Sequence, residues 1–213
     1  MPMTPLAASL IAFVAAATLM TLTPGLDTAM VLRTSAAEGR RSGAAAAAGI
    51  ALGLMIWGTG AAFGLTALLA ASRFAFVVVK WAGAAYLAWL GLKLLLKPRG
   101  TWTDAAAPGA GASGGWPQAF RRGLLSNLLN PKVGVFYITF LPQFIPHGYN
   151  VALVSLLLTS IHVVLGLAWL SVLVALTAPL GRWLRRGPVV QALDRLTGAV
   201  FIGFGVRLAL SEA

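Results

Sequence analysis

Residues 6–27 read LAASLIAFVAAATLMTLTPGLD. The stretch is apolar as far as Leu22, is broken at Thr23-Pro24-Gly25, and then carries a carboxylate at Asp27. A helix needs about 20 predominantly apolar residues to cross a bilayer. This run begins near Pro5 and extends, break included, to about Leu32. The first 26 residues have no charged side chain. The basic region of a cleavable signal peptide is therefore missing, and the stretch is expected to be a retained first span.

The remainder of the chain is built the same way. Ser42 to Ser72 holds no charged residue, and Phe74 to Leu96 carries only Lys80 and Lys93, near its ends, where long side chains can reach the interface. A fourth apolar stretch follows Arg121-Arg122 to about Ile145, then Val151 to Ala178 and Val189 to Leu210. Only 10% of the 213 residues are charged and 59% are hydrophobic, against about 25% charged in a soluble domain. Mean hydropathy is +0.85. Too little polar surface exists to face water, so lipid is the expected surrounding. The absence of cysteine excludes disulfides, thiolate metal sites and dithiol redox chemistry. Two isolated histidines, His147 and His162, and five carboxylates make no metal-ligand pattern, so neither metal nor cofactor is expected.

Lysine and arginine outnumber the carboxylates 16 to 5, a net charge of +11. In a soluble chain that excess suggests nucleic acid. Here the basic residues fall in three loops: Arg33, Arg40 and Arg41; Lys97, Arg99, Arg121 and Arg122; Arg182, Arg185 and Arg186. The opposite loops hold little beyond Arg73 and Arg207. This is the positive-inside asymmetry. It predicts no nucleic-acid partner, three cytoplasmic loops and both termini outside. The middle of the chain, 97–119, runs from Lys97-Pro98-Arg99-Gly100 to Gly114-Gly115-Trp116-Pro117 and is rich in Ala, Gly, Pro and Ser. It is expected to be a flexible cytoplasmic loop joining residues 1–96 to residues 120–213 within one membrane domain.

A second break mirrors the first. Asn130-Pro131-Lys132 interrupts the fourth stretch nine residues after Arg122, as Pro24 precedes Arg33 by nine. At 1.5 Å per residue each break lies about 13 Å from the cytoplasmic boundary, near the middle of a core about 30 Å thick. Three spans per half give the halves opposite orientations. The expected fold is an all-α integral membrane protein of six transmembrane helices, arranged as two inverted three-helix repeats with helices 1 and 4 broken. Breaks at that depth are tolerated where they are buried in protein or line a cavity. Thr and Asn are good N-caps and Pro suits the first helical position, so Thr23-Pro24 and Asn130-Pro131 each read as the start of a new half-helix. Amide donors there suit a carboxylate, and the carbonyls of the preceding half-helices suit an ammonium group. The competing explanation is that each proline only kinks a helix for packing.

Ionisable residues at mid-bilayer are costly and usually mark a pathway. Asp27 is a candidate ligand for a substrate ammonium or a proton carrier, and Lys132 a candidate partner for a substrate carboxylate. Alternatively the two simply pair with each other. Asn127 and Gln143 flank the second break as ligands or as helix–helix glue. His162, in the fifth span, suits a proton relay or a hydrogen-bonded packing role. Gly49xxxGly53 and Gly60xxxGly64 are expected to allow close helix packing.

Around these breaks the sequence resembles the LysE/RhtB family of bacterial amino-acid exporters. The resemblance lies in Thr23-Pro24-Gly25-Leu26-Asp27, Gly39-Arg40-Arg41-Ser42-Gly43, Asn130-Pro131-Lys132 and Phe140-Leu141-Pro142-Gln143-Phe144, with hydropathy agreeing along nearly the whole chain. The family often has a second proline after the Pro-Gly, where Leu26 stands here. The resemblance implies a multi-pass protein of the bacterial cytoplasmic (inner) membrane. It implies secondary export of neutral or basic amino acids, or derivatives such as homoserine and threonine, driven by protons or membrane potential. It carries a site-forming role onto Pro24, Gly25, Asp27, Asn130, Pro131 and Lys132, and family members are suspected to work as homo-oligomers. A passive small-solute channel of the same fold is the alternative. An enzyme is not expected, since no Gly-x-Ser-x-Gly, no His-Glu-x-x-His and no facing pair of carboxylates occurs.

Overall fold

The structure, a computed structural model, describes residues 4–71, 73–98, 115–177 and 186–210. Among the described residues every regular element is helical: α1 (Pro5–Leu22), α2 (Leu26–Glu38), α3 (Arg40–Ala71), α4 (Arg73–Leu96), α5 (Gly115–Leu128), α6 (Pro131–Val135), α7 (Val151–Ala175) and α8 (Gly187–Leu210). Past Val135 the α6 chain continues through a π turn (Phe136–Phe140) and a 3-10 turn (Leu141–Phe144). Short caps set these boundaries. Thr4 accepts from the Ala7 amide to start α1, and Asn150 accepts from the Leu153 amide at 3.0 Å to start α7. The turn before α7 is closed by Gly148 at φ 83°, a left-handed conformation that glycine adopts freely.

Among the described residues three helices are long and apolar enough to cross a membrane: α1, residues Arg40–Gly64 of α3, and α7. A fourth results if α5 and the α6 segment, bent by 51° at the break, are one span. Their outer faces are apolar: Leu153 is 67% exposed, Val164 64% and Ile11 60%. A surface of this kind suits acyl chains. One expectation changes. Because α1 alone has 18 residues, about 27 Å, the first break follows a helix of nearly span length instead of halving one apolar span. At the second break α5 and the α6 segment are long and apolar enough to cross only when taken together. Helix α5 begins at Gly115, so the last residues of the expected 97–119 loop are its first turn. Positions 99–114 lie outside the described residues, as do Arg182 and Arg185 of the third basic loop.

Helix α3 is the hub, packing on α5, α7 and α2, while α4 packs on α8. Small residues make the α3–α5 crossing close. A Cβ on Gly49 would collide with the Phe120 carbonyl, one on Gly123 with the Ala46 carbonyl, and one on Gly53 with Asn127. The expected role of Gly49xxxGly53 is thus met. A Cβ on Gly60 or Gly64 would meet nothing within 4 Å among the described residues, whereas Gly58, between the two motifs, is the glycine that seats Thr159 of α7.

Two apolar cores result. One is aromatic: Phe13, Phe136, Tyr137, Phe140 and Phe144 with Met20 and Leu54. Phe13 meets Phe144 edge-on at 5.3 Å, and Phe136 stacks on Phe140 at 5.1 Å. The other is built from Ala29, Val31, Ala46, Ala47, Ile50, Leu170 and Leu173. Beyond the second core lies a basic end. There Arg122 pairs with Glu38, Arg40 donates to the Ala175 carbonyl at 2.9 Å, and Arg41 sits over Trp116. The ends of α2, α3, α5 and α7 therefore converge on one side of the molecule.

Candidate functional site

The two breaks meet. Measured along the helices, Asp27 stands about 17 Å from Glu38 and Asn127 about 18 Å from Gly115, so both lie at similar depth below the basic end. The local chemistry of each break differs from the other. At the second, Asn130 is the N-cap of α6: its Oδ1 accepts from the Lys132 amide at 3.1 Å and Pro131 takes the first helical position. This matches the expectation.

At the first break the expected cap is corrected. Thr23 is the C-cap of α1, not the start of α2. Its hydroxyl donates to the Leu19 carbonyl at 2.7 Å and is also hydrogen-bonded to the hydroxyl of Thr197 on α8. A residue before proline is pushed to extended backbone, and Thr23 has φ −66°, ψ 117°. Helix α2 begins three residues later, at Leu26, with Gly25 as an N-cap that has no side chain to bond. Gly25 is itself extended, and a Cβ there would stand 3.9 Å from Lys132 Nζ, an ordinary contact. Leu26 occupies the first helical position, where proline is favoured, so the departure from the family pattern leaves the helix start intact.

The side chains of the two breaks cross over. Lys132 Nζ donates to the carbonyls of Met20 at 2.9 Å and Thr23 at 3.2 Å, at the C-terminal end of α1. The carbonyls expected to receive a substrate ammonium thus hold the protein's own ammonium, placed where a cation is favoured by the helix dipole. Asn127 Nδ2 donates to Asp27 Oδ2 at 2.8 Å. The other carboxylate oxygen, Asp27 Oδ1, is buried without a hydrogen-bond partner among the described residues.

Asp27, Lys132, Thr23, Gly25 and Asn130 line one cavity of about 60 Å³. By the ~10–15 Å³ one water needs, it has room for about four. His162 also lines it, and its Nδ1 lies 3.1 Å from the Tyr137 hydroxyl. Of the sequence candidates, Pro24, Pro131 and Asn127 shape or bond the site without lining the cavity. Gln143 does neither: its amide donates to the Thr139 carbonyl at 3.1 Å, inside its own turn.

Two of the lining residues that the sequence does not single out carry unmet polar atoms. Thr21 Oγ1 and Trp169 Nε1 are both buried, without partners among the described residues, and both residues face this cavity. With Asp27 Oδ1 they make two acceptors and an N–H donor beside the Lys132 charge. Buried polar groups are ordinarily bonded, so unmet groups gathered at one cavity mark a ligand or water site. Trp169 had a signal available. His162, Gly166, Trp169 and Leu170 recur at helical spacing along one face of α7 and all line the cavity.

The LysE type translocator family matches residues 18–212. An uncharacterized membrane protein of Bacillus subtilis, YrhP, is 32% identical over 95% of this chain and 99% of its own. A leucine efflux protein of Klebsiella pneumoniae is 32% identical over 94% of each chain. A homoserine/homoserine lactone efflux protein of Salmonella typhi is 31% identical, covering 93% of this chain and 94% of its own. No solved structure matches the chain.

Proposed function

This chain belongs to the LysE type translocator family, a family of multi-pass membrane transporters, and on that premise we propose that it exports amino acids from the bacterial cytoplasm as a secondary transporter. Asp27 Oδ1 and Thr21 Oγ1 receive the substrate ammonium; the Lys132 charge and Trp169 Nε1–H receive its carboxylate. The observation that carries this assignment is Asp27 Oδ1, without a hydrogen-bond partner among the described residues, in the cavity shared with Lys132 and Trp169. Relatives named for leucine and for homoserine efflux agree in substrate class.

The membrane arrangement follows. Six spans form two inverted repeats, with the basic end in the cytoplasm and both termini outside the inner membrane. The pairing of α3 with α7 and of α4 with α8, each helix on its counterpart in the other half, supports that symmetry. The repeats rock about the cavity, driven by protons or membrane potential.

Cells lacking their own exporters, loaded with dipeptides, test the reading. Wild type should release one or a few amino acids selectively, with a rate that saturates and responds to a pH gradient. Asp27→Asn should reach the membrane in normal amount. A hydrogen bond to a charged group contributes ~1.5–3 kcal/mol, so its export at low substrate should fall by about tenfold to a hundredfold. Undiminished, pH-responsive export by this variant removes Asp27 from the site, and a rate that never saturates indicates a passive channel.

A further inference from the structure

The cavity has two unlike walls, and their chemistry narrows the cargo. We propose that the site selects neutral amino acids and rejects those with a cationic side chain, and that Gly166 sets the room for the side chain. This rests on the exporter reading above. Among the residues lining the cavity there is one carboxylate, Asp27, and one ammonium, Lys132. A bound zwitterion adds one charge of each sign and leaves the whole neutral. Its headgroup is matched by the polar wall already described. The apolar part of the lining consists of Ile50, Leu54, Val133 and Leu170, all at most 5% exposed. None of these can accept a hydrogen bond from a side chain. The other polar side chains of the lining, Thr23, Thr28, Asn130 and His162, offer no negative charge. A lysine or arginine side chain would place a second cation, unpaired, against that wall and beside Lys132. Buried charges without partners are strongly disfavoured.

Gly166 interrupts the apolar wall. A Cβ added there would meet only Leu54 Cδ1, at 3.3 Å. That atom ends a flexible side chain and can give by a few tenths of an ångström, so alanine is accommodated in the fold while the cavity loses volume. The position therefore tunes cargo size without touching the Asp27 or Lys132 bonds.

The test uses the full chain in proteoliposomes, with radiolabelled leucine counterflow and unlabelled competitors. Lysine and arginine should compete at least about a hundredfold less well than leucine, the discrimination an uncompensated buried charge imposes. Cationic competitors within that margin overturn the proposal while leaving export itself in place. Movement of no amino acid overturns the exporter reading and this inference together. In Gly166→Ala, with normal insertion checked by detergent-extracted yield, leucine competition should weaken about tenfold relative to alanine. An unchanged leucine-to-alanine ratio removes Gly166 from the side-chain wall, and Leu54→Ala then reports whether the wall is there at all, since enlarging it should favour the larger amino acid.

Discussion

The two breaks contain the same punctuation and solve different problems. Around Pro131 the chain is satisfied locally: Asn130 caps its own helix, and the proline sits at the position where it lacks nothing. Around Pro24 almost nothing is local. The end of α1 is held by Lys132 from the other break, Thr23 is bonded to Thr197 of α8, and Asp27 is held by Asn127 of α5. One break is a self-contained helix start, and the other is a gap that distant segments fill. A site made this way can be opened by separating the two halves, because the bonds that close it cross between them.

The largest effect is expected from Lys132→Met. It strips the Met20 and Thr23 carbonyls of a shared donor, and each unsatisfied buried group costs ~1–3 kcal/mol. Export should vanish, and detergent thermal stability should fall by more than for any variant at Asn130. A variant that stays as stable as wild type would show that the α1 end needs no cross-break cation. Asn130→Ala is gentler. It removes one side-chain cap, ~1 kcal/mol, and should lower stability by that amount while the Lys132 bonds persist; this can be read as a small shift in the same melting assay.

The smallest effect sharpens the comparison instead. Leu26→Pro would give the first break the same proline-at-first-position start that Pro131 gives the second. Gly25 before it is already extended, at φ −153°, as a residue preceding proline must be. The change should be neutral or stabilising by up to about 1 kcal/mol, with export retained. Loss of folding would mean that α2 does not begin at Leu26.

Part of the site was legible from residue order. Proline next to an ionisable residue inside an apolar run is a local pattern, and both breaks, Asp27 and Lys132 are found that way. What these residues bond was not legible. That Lys132 bonds the carbonyls ending α1 and that Asn127 holds Asp27 cannot be read from residue order. Thr21 and Trp169 were passed over because a threonine and a tryptophan in a membrane helix are ordinary. Trp169 shares a helical spacing with other lining residues, whereas Thr21 is singled out only by the lack of a partner among the described residues, a property of the packed structure.

Sequence alone determined the apolar helices and their breaks, because a bilayer imposes hydropathy and length on each segment independently of its neighbours. The tertiary structure decided which end each break terminates, which glycines are contacts and where the charged groups find partners. These depend on which helix crosses which, and at what depth. Gly49 and Gly60 have the same spacing motif, yet a Cβ on one would collide with α5 and a Cβ on the other would meet nothing within 4 Å among the described residues; that difference is created only when the helices pack.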